Sequence, residues 1–598
     1  MNRERVRLLV AALAVAAATI LLFWPATRAA FLNWDDNIYL TGLQKQSGVT
    51  WAFTAVQPFY YHPLTWASYR LDQLLGGLDP VRFHATNVLL HGANAALVVV
   101  LAWMMLGAVR APRPTNDAGR AGCPQPAAAA RLVVAAGIGL VFGVHPLQVE
   151  SVAWVAERKT LLCGLFSFAA ACVYLRGWRP ATAILFAAAL LAKPAAMTLP
   201  LALLALDVCP LRRPERESWR RLIGEKWALW LLAAACLVAT VIAQHREEAM
   251  MAWADHGLYP RALTAARGVV FYLWKLAWPA WLSPFYPLGG GISLSSAEFW
   301  APVALCAGMT ALAAALWRRA TVVPVAWAAY VALVLPTLGL GQAGSQAVAD
   351  RFAYLAVVPV LLALAFGGVV LARRFTRVGG VALAVFVAVW ALFLAKQTRA
   401  QIPVWRDTET MWRKALLHYP QSGTANAQIA AELARQERYA EAEPFAELGF
   451  EKRPEHPAAQ WAYEQVALDH ARAAAQARDF AAVRTFAEQA LRASPNSAEG
   501  HAMRGLAMLK TGQYEPAAQE LKKALRVEPK LPAARYNLAC AYSRLGRLDE
   551  AFEALREFLE AHPDAAGLVV SDAELDALRA DPAFGARMVE LLRAVTNK

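Results

Sequence analysis

Residues 496–529 read NSAEGHAMRGLAMLKTGQYEPAAQELKKALRVEP, and a second unit of the same length follows at 530–563. Prolines 420, 454, 495, 529 and 563 are separated by 34, 41, 34 and 34 residues, so the region beyond residue 400 is built on an internal period. It is rich in Ala, Glu and Arg with helical periodicity. Within the first unit the small residues Gly505, Gly512, Ala517 and Ala524 fall where paired helices must approach closely, and Tyr514 is the large residue between them. The next unit repeats this with Ala539, Gly546, Ala551 and Pro563. A single unit cannot bury its apolar face alone, so neighbours stack into an α-solenoid over residues 401–598.

This period and its small-residue pattern resemble tetratricopeptide (TPR) repeats, strongly over 496–563 and more loosely over 420–495. The resemblance implies a concave face that takes peptide segments. Two uses of the array stay open: a platform for substrate or partner, and a spacer or homotypic assembly surface.

The rest of the chain has a different composition. The 598 residues are 58% hydrophobic and 17% charged, with mean hydropathy +0.34, too apolar for soluble domains placed end to end. The net charge of +14 is uneven: residues 1–400 hold 34 Lys+Arg against 17 Asp+Glu, and residues 401–598 hold 25 against 28. The positive balance therefore belongs to the apolar part, and a nucleic-acid partner is not needed to explain it. Seven scattered Cys exclude a disulfide scaffold.

A membrane span needs about 20 apolar residues, fewer where helices are short or buried among others. Eleven apolar stretches fit, near 8–30, 84–107, 131–145, 160–177, 181–193, 195–209, 227–243, 298–317, 322–340, 352–372 and 378–398. Residues 1–400 are thus expected to form a polytopic helical membrane domain, and the whole chain to be all-α. Basic residues in short loops mark the cytoplasmic side. Arg3, Arg5 and Arg7, then Arg110, Arg113, Arg120 and Arg131, Arg212 to Lys226, Arg318 with Arg319, and Arg373, Arg374 and Arg377 form that set. The N-terminus is then cytoplasmic, the loops 31–83, 146–159, 244–297 and 341–351 face the other side, and the first span is a retained anchor. Residues 264–282 carry Trp274, Trp278 and Trp281 and are read as interfacial or re-entrant; a genuine span there would move the C-terminal domain to the cytoplasm.

Ionisable residues near spans are costly and default to functional candidates. Phe31-Leu-Asn-Trp-Asp35-Asp36-Asn37 follows the first span. Such a carboxylate pair suits a general base, a metal ion or a sugar hydroxyl, and adjacent residues point differently, so one of the two faces a reaction centre. Tyr60-Tyr61-His62-Pro63 and then His84, Asn87 and His91 lie on the same side. His84 and His91 are too far apart for a helical metal pair, so His91 is assigned to hydrogen bonding among helices and His62 and His84 to the pocket. The run His145 to Thr160, read as one helix, aligns Glu150, Trp154 and Arg158 at spacings of four, flanked by Glu157 and Lys159. Arg158, Lys159, Lys193 and Arg351 are candidate phosphate-binding cations.

With these segments assembled, the order NWDDNIYL, HPLTW, FHATNVLLHGANA, HPLQVESVAWVAERKTLL, LLAKPAAMTLPLALLALD, FYLWKLAWP and GSQAVADRFAYL, followed by repeats, resembles bacterial relatives of the TMTC (transmembrane and tetratricopeptide repeat-containing) proteins. Eukaryotic members resemble GT-C glycosyltransferases and act as O-mannosyltransferases with dolichyl-phosphate mannose. The resemblance implies a GT-C-like membrane domain at 1–400 with an outer loop at 31–83, and a periplasmic TPR domain at 401–598 of a multi-pass protein of the bacterial inner membrane. It implies Asp35 or Asp36 as the catalytic carboxylate and Arg158, Lys193 and Arg351 as the lipid-phosphate site; His62, His84, Glu150, Lys159 and Tyr354, read from the same face, complete the substrate- and phosphate-binding candidates. Members often carry His and Asp where this chain has Gln148 and Thr160, so no metal site is assigned and a divalent metal requirement is left open.

The expected function is transfer of a sugar, mannose in the eukaryotic members, from a polyprenyl-phosphate carrier to a protein Ser/Thr hydroxyl, with the repeats holding the acceptor. Two alternatives remain: a non-enzymatic membrane-anchored scaffold for envelope or secretion assembly, and a lipid-linked glycan ligase or flippase.

Overall fold

The computed structural model describes residues 3–45, 50–54, 61–108, 128–246, 258–288, 297–339, 346–374 and 376–596. Tyr60, Arg110, Arg113 and Arg120 lie outside the described residues, as do the side chains of Arg373, Arg374 and Arg377. The described chain is helical except for connections and one two-stranded antiparallel pair, Tyr286–Pro287 with Gln346–Val348.

Two compact units divide the chain, Met1–His418 and Tyr419–Lys598. The boundary falls 18 residues beyond the position expected from composition, for a local reason. The Asn33 amide donates to the Thr408 hydroxyl at 2.8 Å, and Trp412 packs on Trp34 with ring centroids 5.0 Å apart, which binds the polar helix Thr408–His418 to the first unit.

In the first unit every expected apolar stretch is helical. Four are long and apolar enough to cross a membrane: Arg3–Arg28, Pro80–Ala108, Val155–Leu175 and Gly379–Trp405. The pair Ala129–Val144 and Pro146–Ala153, bent by 52°, makes a fifth if counted as one span. Six shorter apolar helices complete the set: Arg179–Ala192, Pro194–Val208, Trp227–Ile242, Trp300–Ala315, Val322–Thr337 and Val357–Val370. The eleven stretches are thus not eleven full-length spans, and six have 10–17 residues. Residues 264–282 are not one helix either. The helix Leu258–Ala277 stops before Pro279, and Lys275 Nζ donates to the Ala280 carbonyl at 2.5 Å, tying the chain beyond the helix back to its last turn. Trp274, Trp278 and Trp281 are exposed.

The second unit is a run of helical hairpins: Gly423–Arg435 with Tyr439–Lys452, Pro457–Gln476 with Phe480–Ala493, Ala498–Lys510 with Tyr514–Val527, and Pro532–Arg544 with Leu548–Ala561. Buried Ala517, Ala524, Ala539 and Ala551 let the helices approach. A Cβ on Gly505 would meet Leu521 Cγ at 2.7 Å, so that glycine is a contact residue. Gly512 is not. It has open space around it and a φ of +79°, and it turns the chain between paired helices, as Gly546 does in the next hairpin at +73°.

Candidate functional site

The site is organised by a break in the segment that sequence periodicity reads as one helix. His145 opens it, with Nδ1 accepting from the Leu147 amide at 3.2 Å and Nε2 3.0 Å from the Leu276 carbonyl oxygen. A short turn at Pro146–Gln148 leads into Val149–Ala153, and Trp154 is then extended (φ −91°, ψ 120°). A second turn, Val155–Glu157, precedes the helix Arg158–Leu175. Breaking a helix frees backbone carbonyls that need donors. The amide of Asn87, from the helix Pro80–Ala108, donates to the Trp154 carbonyl at 3.1 Å and so closes the break.

The break sends neighbouring side chains to different places. Glu157 is buried, and four groups from three segments converge on its carboxylate. Lys193 Nζ donates to Oε2 at 3.0 Å, and the Thr160 hydroxyl donates to the same oxygen. On Oε1, Lys159 Nζ lies at 3.2 Å and Arg351 Nε at 3.3 Å. Lys193 Nζ also donates to the Thr160 hydroxyl at 2.6 Å. Arg351 pairs through its guanidinium with Glu150, whose Oε2 accepts from the Arg351 backbone amide at 2.8 Å. Lys193 and Arg351 keep 14% and 13% side-chain exposure, whereas Glu157 and Glu150 keep 1% and 2%. The cations therefore offer an edge, and the carboxylates sit behind them.

Asp35 and Asp36 part company at this cluster. Asp36 is fully buried at the start of the helix Asp36–Lys45, where Oδ2 accepts from the Leu32 amide at 2.8 Å and Oδ1 from the Ala156 amide at 2.9 Å. Burial pushes its carboxyl up to about 7 against those two hydrogen bonds, with the Asp35 charge adding to the rise. Asp36 thus ties the loop after the first helix to the break at residue 156. Asp35 keeps 24% side-chain exposure and lies 3.8 Å from Lys159 Nζ. Beside it, Trp34 stacks on Trp154 at 4.6 Å, and Trp405, Trp412 and Phe285 extend the aromatic wall.

His62 belongs to this neighbourhood: burial, then the charges of Lys159 and Lys193, hold its imidazole well below the usual range. Asp350, unmarked by sequence reasoning, adjoins Glu150 and accepts from the Tyr286 hydroxyl at 2.9 Å; burial first and Glu150 second hold its carboxyl well above the usual range. In the sequence Glu157 stands only as a flanking residue and Thr160 only as a departure from the pattern of TMTC members. Their spacing of three on a helix is the local signal that makes them partners.

Three expected site residues are elsewhere. Arg158 points into a separate buried network: Nη1 meets Asp72 at 2.5 Å, Nε donates to Asn87 Oδ1 at 2.9 Å, and Nη2 donates to the Phe83 carbonyl at 2.7 Å, with the guanidinium over the Tyr69 ring. Its fork is spent on these partners and does not align with Glu150, because the extended Trp154 ends the helical register between them. His84 is buried on Pro80–Ala108 within reach of Arg158 and the Ala30 and Ala153 carbonyls. Tyr354 joins the interhelical contacts of His91. The His91 Nε2 sits 3.0 Å from the Gly143 carbonyl and must donate, so its Nδ1 accepts from the Tyr354 hydroxyl at 2.8 Å, which in turn accepts from Asn94 at 2.9 Å. Among the described residues no group of three or more His, Cys, Asp and Glu has the arrangement of a metal site.

A second buried ionic cluster lies in the same unit. The Tyr174 hydroxyl contacts both oxygens of Asp207 at 2.7 and 2.8 Å, Lys226 Nζ donates to Asp207 at 2.5 Å, and Arg213 reaches Asp207 at 3.0 Å and also Glu217 and Glu225.

Models described as "TPR repeat" and "Tetratricopeptide repeat" match residues 505–546 and 533–565. Among characterised proteins, the chain is 35% identical over 120 residues to protein O-mannosyl-transferase TMTC4 of Homo sapiens, covering 20% of this chain and 15% of that protein. It is 31% identical over 210 residues to protein O-mannosyl-transferase Tmtc2 of Drosophila melanogaster, covering 31% of this chain and 19% of that one. The chain thus spans less than a fifth of the length of either relative. Among solved structures, YrrB, a TPR protein with an unusual peptide-binding site, aligns with 31% of this chain and 93% of its own length at 19% identity and a TM-score of 0.25. The chain is TMTC-like in sequence, and its C-terminal region carries tetratricopeptide repeats.

Proposed function

We propose that the first unit is a GT-C-type glycosyltransferase that moves a sugar, mannose by analogy with the names of its relatives, from a polyprenyl-phosphate carrier to a protein Ser/Thr hydroxyl. The observation that carries this reading is the partly exposed Asp35, 3.8 Å from Lys159, beside two further cations, Lys193 and Arg351, whose edges are also reachable. In this mechanism Asp35 takes the proton from the acceptor hydroxyl as its oxygen forms a bond to the anomeric carbon. The bond from that carbon to the phosphate oxygen breaks, and the electron pair stays on the phosphate, which Lys193 and Arg351 stabilise. A single displacement inverts the anomeric centre. Trp34, which is partly exposed and backed by the buried Trp154, offers an aromatic surface for the sugar ring.

The carrier's tail has a place to go. An apolar cavity is lined by Leu101, Phe168, Leu203, Val325 and Phe366. Leu199 and Leu355, also in its lining, follow Lys193 and Arg351 closely in the chain. The repeats present the acceptor, and both lie on the periplasmic side of a bacterial inner membrane. The test is incubation of the purified full chain with polyprenyl-phosphate sugars labelled in the sugar. Transfer of label to protein supports the reading, and its failure with every carrier sugar tried overturns it. Cysteine labelling in the repeats of intact spheroplasts reports their side.

A further inference from the structure

Building on the phosphate-site reading, we propose that Glu157 is the positioning residue of the anion site: it gathers Lys159, Lys193 and Arg351 into one group and holds the exposed edges of Lys193 and Arg351 toward the lipid phosphate. The three cations come from separate parts of the chain, the start of the helix Arg158–Leu175, the junction between Arg179–Ala192 and Pro194–Thr198, and the turn Asp350–Ala353. Nothing local brings them together. Each has a nitrogen within 3.3 Å of one Glu157 oxygen or the other, and Thr160 fixes the rotamer by donating to Oε2. Three like charges at such range repel one another unless an anion sits among them. Burial of the carboxylate at 1% exposure, against 13–14% for Lys193 and Arg351, puts it behind the cations and out of the ligand's path.

The sign of the expected effect separates this role from simple electrostatics. Removing a negative charge beside an anion site would, on Coulomb's law alone, tighten anion binding. A positioning role demands the reverse, because the cations splay and Lys193 loses its proton more readily. Burial holds the Lys193 ammonium below its usual range, and Glu157 is the main opposing influence. The other groups facing it are Lys159, Arg351, His62 and Cys163. Only Glu157 among these carries a charge that favours the ammonium.

The experiment measures binding of farnesyl phosphate to the detergent-solubilised full chain, by tryptophan fluorescence, for wild type, Glu157→Gln, Glu157→Asp and Lys193→Met from pH 6 to 8. Glu157→Gln is expected to weaken binding at least tenfold, with the loss growing as pH rises, and Glu157→Asp to recover most of the affinity. Should Glu157→Gln not fold, Glu157→Asp carries the test, since a carboxylate one methylene shorter must still weaken binding measurably. Equal or tighter binding by a folded Glu157→Gln, or a loss independent of pH, overturns the positioning role while wild-type binding lost in Lys193→Met leaves the phosphate site standing. Failure of wild type to bind the probe overturns both.

Discussion

Among the described residues of the first unit, the buried ionic clusters around Asp207 and Glu157 are built on opposite plans. Around Asp207 the partners are Arg213 and Lys226 from the loop that follows and Tyr174 from the helix Arg158–Leu175, with Asp207 and Lys226 wholly enclosed. Arg213 places its fork on Asp207, Glu217 and Glu225, so donors and acceptors are matched. Around Glu157 the members come from residues 35, 150, 157, 159, 193 and 351, beside a wall of tryptophans, and Lys193 Nζ is directed at two acceptors, Glu157 and Thr160, where Lys226 Nζ meets three. Buried charges must be paired whether they serve stability or function. The difference is whether the pairing uses up every donor. A closed cluster staples a loop to helix ends; an open one retains capacity for a ligand.

Substitutions can break this contrast in either direction. Asp35→Ala should lower sugar transfer by about 10²- to 10⁴-fold, the range for a general base, with an unchanged melting temperature. Asp207→Ala should do the opposite. It leaves Lys226 buried without its carboxylate, which costs about 3–5 kcal/mol, while transfer per folded molecule stays at the wild-type level. Thermal unfolding beside labelled-sugar transfer checks both. A stability loss at Asp35 with full activity, or an activity loss at Asp207 in folded protein, would erase the distinction.

Asp36 sharpens it further, since it neighbours Asp35 in sequence and resembles the closed cluster in behaviour. Its carboxyl sits near 7 in the folded chain against 3.8 ordinarily. Between these values the folded state holds a proton that the unfolded chain has released, so stability falls as pH rises. This contribution is fully present below about pH 4, is lost progressively up to about pH 7, and stays lost above it. At ~1.4 kcal/mol per unit the swing is of order 4 kcal/mol. The melting temperature of wild type should carry this slope, and Asp36→Asn should flatten it while starting from lower stability, because an amide nitrogen must then face the Leu32 or Ala156 amide.

Legibility from sequence follows the same division. Repeat helices were readable because their contacts recur within a period, and the apolar stretches because a span is a local property. That the two adjacent aspartates part in direction was also readable, from the divergence of neighbouring side chains. Which one it is depends on Leu32 and Ala156, and the latter lies 120 residues away. Arg158 was misplaced because an unbroken helix was assumed from 145 to 160. The break at Trp154 is held by Asn87, 67 residues earlier, and leaves no mark in the periodicity. The grouping of Lys193 and Arg351 on Glu157 is likewise a product of assembly.

At the local extreme, the repeats permit a test in which sequence alone names the substitution. Gly512 and Gly546 turn their hairpins with φ of +79° and +73°, and the matching positions in the two preceding hairpins are Glu437 and Arg478, both at +58°. A side chain at positive φ costs about 1–2 kcal/mol of backbone strain, partly offset because glycine has more conformational freedom to lose on folding. Arg478→Gly should therefore stabilise the repeat unit by about 0.5–1 kcal/mol, measured by denaturant unfolding, and leave sugar transfer unchanged. Glu437→Gly should do the same. A destabilised Arg478→Gly would mean that the residue's side chain contributes more than its strained backbone costs, and that the turn position is not interchangeable along the array.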